Sequence, residues 1–258
     1  MSFNLKSIED SLNEIENTSN SVKLPVKKIL DYTVIFDDDI EDIHNNIIKV
    51  SNENIVILKD KDVVSWLLDD TDFLFDKIKK LKNFDEINKN KTKLRKLLKK
   101  EEDIWGLSLL KKYKSNIYSD NKKNWTNTIG ELIGKELMIL LNKNPIKPKK
   151  IKNLTKNQPG YCLDLEVDDF VIECKISTFF TDGTANEKVL GAPFKYCEVP
   201  NILNKKLKIL CMANSEKYLK DKFGIFTENL SSDKSKVIDF FKSLNIEFIA
   251  ASEILKNL

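Results

Sequence analysis

The chain has 258 residues, of which 41% are hydrophobic and 32% charged, with a net charge of +3; that is globular composition, enough for one large domain or two small ones. A single histidine, His44, excludes HEXXH peptidases, His-rich zinc sites and any mechanism needing two histidines. The seven glycines make neither a GxGxxG nor a GxxxxGK[ST] loop, which argues against dinucleotide and P-loop enzymes.

In chain order, Ser7 starts a helix reaching about Asn17, and Thr33–Phe36 and Asn54–Leu58 are short apolar runs of strand type. Residues 39–50 and 61–81 carry apolar side chains at helical spacing, notably Val63, Val64, Trp66, Leu67 and Leu68. Lys91–Lys112 reads as a long helix. The polar stretch Ser115–Asn124 marks a soft boundary, dividing a mainly helical region (1–120, a candidate for DNA recognition or dimerisation) from a second region (121–258).

After the boundary, Thr126 or Thr128 caps a helix to about Leu141, and the lysine- and proline-bearing 143–156 is a loop. Tyr161–Val167 and Phe170–Ser177 are β-like runs joined by a tight turn at Asp168-Asp169. A helix or helix-turn over 186–203 is interrupted near Gly191 and Pro193. Lys206–Met212 is a buried strand, helices follow at Ser215–Lys222 and Lys234–Leu244, and Ile246–Ala250 is a strand before a last helix. The predicted class is α/β, a mixed central sheet flanked by helices.

Charge is unevenly placed. Residues 1–88 carry a net of −8 and residues 89–258 a net of +11. Residues 89–100, KNKTKLRKLLKK, hold seven cations and no acid, and 143–156 hold six lysines and no acid. A polyanion is the natural partner for such runs, and nucleic acid the obvious one. Arg95 is the only arginine. Arginine is the usual bidentate reader of guanine, so a DNA target read by this chain leans towards A·T pairs or uses lysine. The cysteines Cys162, Cys174, Cys197 and Cys211 form no CxxC pair and read as buried, reduced thiols. No apolar run approaches the roughly 20 residues of a membrane span, and MSFNLKSIED lacks the apolar core of a secretory signal, so a cytoplasmic protein is expected.

The chemistry concentrates in GYCLDLEVDDFVIECKIST. Strand alternation puts Val171, Glu173, Lys175 and Ser177 on one face of the second run, with Ile172, Cys174 and Ile176 on the other. Pairing through the turn brings Asp164 beside Glu173. Adjacent carboxylates repel, and a divalent cation relieves that repulsion. Mg²⁺ takes oxygen ligands, which Asp164, Glu173 and the backbone carbonyl of Cys174 could supply, with Lys175 positioned to assist a nucleophilic water or the phosphate. On the preceding helix, Glu136 falls within the apolar stripe of Ile129, Leu132, Ile133, Leu137 and Leu140, so it is expected to support the metal site, through a water; Glu131, on the opposite side, takes this role if the helix is rotated.

D-x8-E-x-K on a hairpin after a glutamate-bearing helix resembles the PD-(D/E)xK nuclease superfamily, and within it a type II restriction endonuclease. The resemblance covers about residues 125–215; Leu163 stands where the family usually has proline. It implies a restriction-endonuclease-like core over 121–258, Mg²⁺-dependent hydrolysis of duplex DNA to 5′-phosphate and 3′-hydroxyl ends, a homodimer matching a palindromic site, and a cognate DNA methyltransferase as genetic partner. Candidate DNA contacts are Lys147, Lys149 and Lys150 in the basic loop, Lys188 and Lys195 seven apart downstream, and Arg95. A repair or recombination nuclease of the same superfamily, or an inactive DNA-binding module with this fold, are the rivals. His44 is read as having no catalytic task.

Overall fold

The computed structural model describes residues 37–113, 125–152, 160–181 and 187–258. The helix expected from Ser7, the run Thr33–Phe36 and the boundary stretch 115–124 lie outside the described residues. Residues 38–258 form one compact unit.

Helix α1 (Asp37–Lys49) buries Ile40, Ile43 and Ile47, spaced three and four apart along one stripe. The helical pattern expected over 61–81 is two helices, α2 (Lys61–Leu67) and α3 (Asp72–Lys79). The break has a local cause. Asp69 is left-handed, with φ of 69°, and the Asp70 carboxylate accepts from the Asp72 amide at 2.9 Å, which starts the next helix. Helix α4 (Phe84–Lys89) follows, and the Asn90 side chain accepts from the Lys93 amide at 3.0 Å to open the long basic helix α5 (Lys91–Tyr113).

Helix α6 (Trp125–Leu140) already includes Thr126 and Thr128, so neither is its cap. Gly130 and Gly134 sit one turn apart on the side that meets the sheet. A Cβ at Gly130 would lie 2.7 Å from Ile176 Cγ2, and one at Gly134 would lie 2.6 Å from Cys174 Sγ. The two glycines therefore let α6 lie close against the Ile176 and Cys174 side chains of the strand that carries the candidate chemistry.

That strand is β2 (Phe170–Ser177), preceded by the two-residue β1 (Leu165–Glu166). After it come short helices α7 (Glu187–Leu190), α8 (Ala192–Lys195) and α9 (Val199–Leu203), strand β3 (Lys206–Ala213), helices α10 (Asn214–Phe223) and α11 (Ser232–Ser243), strand β4 (Ile246–Ala250) and helix α12 (Ala251–Lys256). The sheet has the order β1-β2-β3-β4; β1 is antiparallel to β2, and β2, β3 and β4 run parallel. The mixed sheet flanked by helices is the expected class. No helix among the described residues is long and apolar enough to cross a membrane.

Parity along β2 divides two layers. Ile172 and Leu165 are cross-strand partners on the side of α6, where Gly134 approaches Leu165. Val171, Leu207, Ile209 and Cys211 form the other face, in a core with Val189, Tyr196, Val199, Leu219 and Ile246. On the helical side, Trp66, Trp105 and Trp125 form one cluster, with ring centroids 5.3, 5.8 and 6.2 Å apart, and Phe179 meets Trp66 edge-on at 6.1 Å. Gly106 lets the Trp125 ring lie flat on α5, since a Cβ there would be 2.3 Å from that ring. Only Cys211 of the four free cysteines is buried; Cys162 is exposed, and Cys174 and Cys197 are intermediate, which corrects the expectation of four buried thiols.

Candidate active site

Strand β1 is far shorter than the expected run Tyr161–Val167, and the reason lies on both sides of it. The 143–152 segment, expected to be only a loop, makes reciprocal backbone pairs, Ile146 with Glu166 and Ile151 with Tyr161, at 2.8 and 2.9 Å. Pro145 and Pro148 cannot donate, so the pairing stays as isolated bridges. On the other side the chain bends at Asp164. Its amide still donates to the Ile172 carbonyl at 3.1 Å, but its own carboxylate accepts from the Cys174 amide at 2.8 Å. The Asp164 side chain takes the place that the next backbone acceptor of β1 would fill. Beyond that point no strand covers this edge of β2 among the described residues. In an extended strand the N–H and C=O of one residue point to the same edge, so the Cys174 carbonyl faces the open edge with Asp164.

A cleft of about 330 Å³ opens at this edge, lined by Asp164, Glu173, Lys175, Glu131, Lys188 and Ser215, among others. The structure thus brings together the two acids and the lysine of the motif. Glu173 is buried at 6% exposure. Its Oε1 accepts from Lys175 Nζ at 2.5 Å and from the Tyr196 hydroxyl at 2.8 Å, whereas its Oε2 is buried with no hydrogen-bond partner among the described residues. An unmatched buried carboxylate oxygen costs on the order of 1–3 kcal/mol. Burial pushes the Asp164 carboxyl up to about 6; the neighbouring Glu173 charge adds to this, while the Cys174 amide opposes it. Burial also pushes the Cys174 thiol well up, so it is no thiolate ligand.

This electrostatic crowding has a testable consequence. A folded-state carboxyl above its unfolded value of about 3.9 binds its proton more tightly in the folded chain, so its contribution favours folding below about pH 4 and is lost as pH rises through 6. Asp164→Asn keeps an acceptor for the Cys174 amide and removes the charge. In EDTA at pH 7.5 it should raise unfolding stability by about 1–2 kcal/mol, the shift being discounted for solvent screening, and the gain should vanish near pH 4. Denaturant titrations at the two pH values measure it; equal gains at both would show that Asp164 is not under this pressure.

The helix carboxylate is the main correction. Glu136 is buried, as its place in the apolar stripe requires, but its Oε1 accepts from the amides of Val56 and Ile57, both at 3.0 Å, and its Oε2 from Leu58 at 2.8 Å. Those three donors use its carboxylate for holding the 54–58 segment, which is a run of turns and not the expected strand. Glu131 is the α6 acid on the cleft, and it also pairs with Lys147 at 3.1 Å. Lys149 and Lys150 are exposed on the same segment as Lys147. Lys188 lines the cleft; Lys195 is exposed, and its Nζ donates to the Tyr196 hydroxyl at 2.8 Å. Arg95 donates to the Thr181 carbonyl at 2.9 Å, tying the basic helix α5 to the chain just past β2. His44 sits in α1, outside the cleft, with its Nδ1 buried and unmatched among the described residues. Sequence reasoning passes over Tyr196, Asn127 and Ser215. A tyrosine in FKYCEVP and a serine at a helix start carry no signal that sets them apart. Ser215 Oγ lies 2.9 Å from Ser177 Oγ, just after Ala213, whose φ of 50° and ψ of −131° are strained for a residue with a side chain.

The donor set suits a hard cation. Two carboxylates and a main-chain carbonyl offer only oxygen donors to a cation, and Glu173 Oε2 is a buried acceptor without a donor among the described residues. No group of three or more His, Cys, Asp or Glu able to hold a metal forms among the described residues. Mg²⁺ needs only one or two carboxylates and keeps several waters, which the oxygen donors here could satisfy. Comparison with protein-family models, curated proteins and solved structures finds no match for this chain.

Proposed function

We propose that this chain is a Mg²⁺-dependent endonuclease that hydrolyses phosphodiester bonds in duplex DNA, acting as a type II restriction enzyme with a PD-(D/E)xK site. The observation that carries this reading is the cleft at the open edge of β2, where Asp164, Glu173 and Lys175 converge and Glu173 Oε2 has no hydrogen-bond partner among the described residues.

Asp164 and Glu173 Oε2 would hold the cation, with the Cys174 carbonyl on the same edge. Mg²⁺ bound there supplies a Lewis acid for the phosphate and a water of lowered pKa. Lys175 presents an ammonium at the cleft, suited to charge developing on phosphate oxygens, and its contact with Glu173 Oε1 keeps it there before DNA arrives. Lys188 on the lining, and Lys147 beside Glu131, supply further positive charge for the backbone of the substrate. Cutting both strands of a palindrome calls for two copies related by a two-fold axis, hence a homodimer. A cytoplasmic location and a partner methyltransferase protecting host sites belong to the same reading.

Digestion of supercoiled plasmid tests it. Linear or discretely fragmented DNA with 5′-phosphate ends is expected in Mg²⁺ and intact plasmid in EDTA. Intact plasmid in both, across DNAs of varied sequence and methylation, would overturn the assignment.

A further inference from the structure

The two oxygens of Glu173 differ in their partners, and a residue outside the motif contributes to the difference alongside Lys175. The Tyr196 hydroxyl, 2.8 Å from Glu173 Oε1, also receives a hydrogen bond from Lys195 Nζ at 2.8 Å. An ammonium has donors and no acceptor. The Tyr196 oxygen must therefore accept from Lys195 and point its own proton at Glu173. The lysine is further held over the ring, 4.5 Å from its centroid. Tyr196 itself is fixed: it is 2% exposed, within the core beside Val171 and Val199, and its ring meets Tyr161 edge-on at 5.6 Å. Oε1 thus carries two donors, Tyr196 and Lys175, and the carboxylate plane is set by the more rigid of them.

We propose that Tyr196, oriented by Lys195, is a positioning residue that saturates Glu173 Oε1 and so presents the bare Oε2 to a divalent cation. The inference rests on the metal-site reading above and adds to it a residue that neither the motif nor the charge pattern indicates. Lys195 then acts through Tyr196 and is a part of the site's internal scaffold more than a contact to DNA.

The test is Mn²⁺ binding to the full chain without DNA, measured by titration calorimetry. Tyr196→Phe removes one oxygen and keeps the ring in the core. Its Mn²⁺ dissociation constant should rise about tenfold or more, the size of effect that outer partners of metal ligands produce, while thermal melting in EDTA stays close to wild type. Glu173→Gln should lose the binding altogether. Wild-type affinity in Tyr196→Phe, with binding lost in Glu173→Gln, overturns the role of Tyr196 and leaves the metal site standing. Absence of saturable Mn²⁺ binding in the wild type overturns both. Should Tyr196→Phe fail to fold, Lys195→Met, a change at an exposed side chain, decides instead: weakened Mn²⁺ binding supports the relay and unchanged binding overturns it.

Discussion

Replacing Lys175 with alanine should lower Mg²⁺-dependent cleavage of plasmid DNA by roughly 10²–10³-fold, the usual loss when a positioned electrostatic group at a reacting centre is removed. The lysine can be deleted without breaking the fold. Its side chain is 23% exposed at the cleft, and its departure leaves Glu173 Oε1 still bonded to the Tyr196 hydroxyl. Binding of duplex DNA should therefore change much less than turnover. Asp164→Asn should be equally inactive for a different reason, loss of the anionic ligand, and should be the more stable protein at neutral pH. A pair of variants that are inactive while one is stabilised and the other nearly neutral distinguishes a chemical site from a structural hairpin. If Lys175→Ala cleaves at the wild-type rate, the lysine is a salt-bridge partner of Glu173 and nothing more.

Glu102 should give the largest change in stability. It lies in the middle of the basic helix α5, fully buried, and accepts from the Trp66 indole at 2.7 Å and from the amides of Phe179 and Phe180 at 2.9 and 3.3 Å. Burial pushes its carboxyl up to about 6 in spite of those three donors. Alanine there would strand all three donors inside the tryptophan cluster. Each orphaned buried donor costs about 1–3 kcal/mol and such losses are not additive, so a total of about 3–5 kcal/mol is expected, a large share of a typical domain's stability. Glu102→Gln keeps one carbonyl acceptor and should cost much less, about 1 kcal/mol. Denaturant midpoints of the two variants check the order; equal small effects would mean that the segment after β2 is held by ring packing alone. Because Phe179 and Phe180 lie two and three residues past the end of β2, Glu102→Ala should also loosen the strand end that carries Lys175 and Ser177.

Much of the sheet is legible in the sequence. Phe170–Ser177 and Ile246–Ala250 are found at their expected bounds, and β3 is one residue longer than expected, because continuous apolar runs bounded by turn residues have few alternatives. The juxtaposition of Asp164, Glu173 and Lys175 is equally legible, since it follows from strand alternation and a two-residue turn. What is hidden is any contact made over a long sequence separation. The helical stripe shows that Glu136 is buried but not by what, and its three amide partners lie about eighty residues upstream. The same contact explains why the apolar run at 54–58 is no strand: the amides of Val56, Ile57 and Leu58 are taken by a side chain and not by a neighbouring strand. Glu131, placed on the far side of the stripe by periodicity, lines the cleft where the β2 edge is open beyond the short β1. Tyr196 leaves no mark in the sequence, because its hydroxyl meets Glu173 only through the packing of α8 and α9 against the sheet.

The most direct measurement is an anomalous difference map from crystals of the full chain soaked in Mn²⁺. One peak is expected at the open edge of β2, within bonding distance of an Asp164 oxygen and of Glu173 Oε2, with Oε1 still held by Tyr196. A map without a peak at that edge, or with manganese elsewhere while Glu173 Oε2 stays bare, would contradict that expectation.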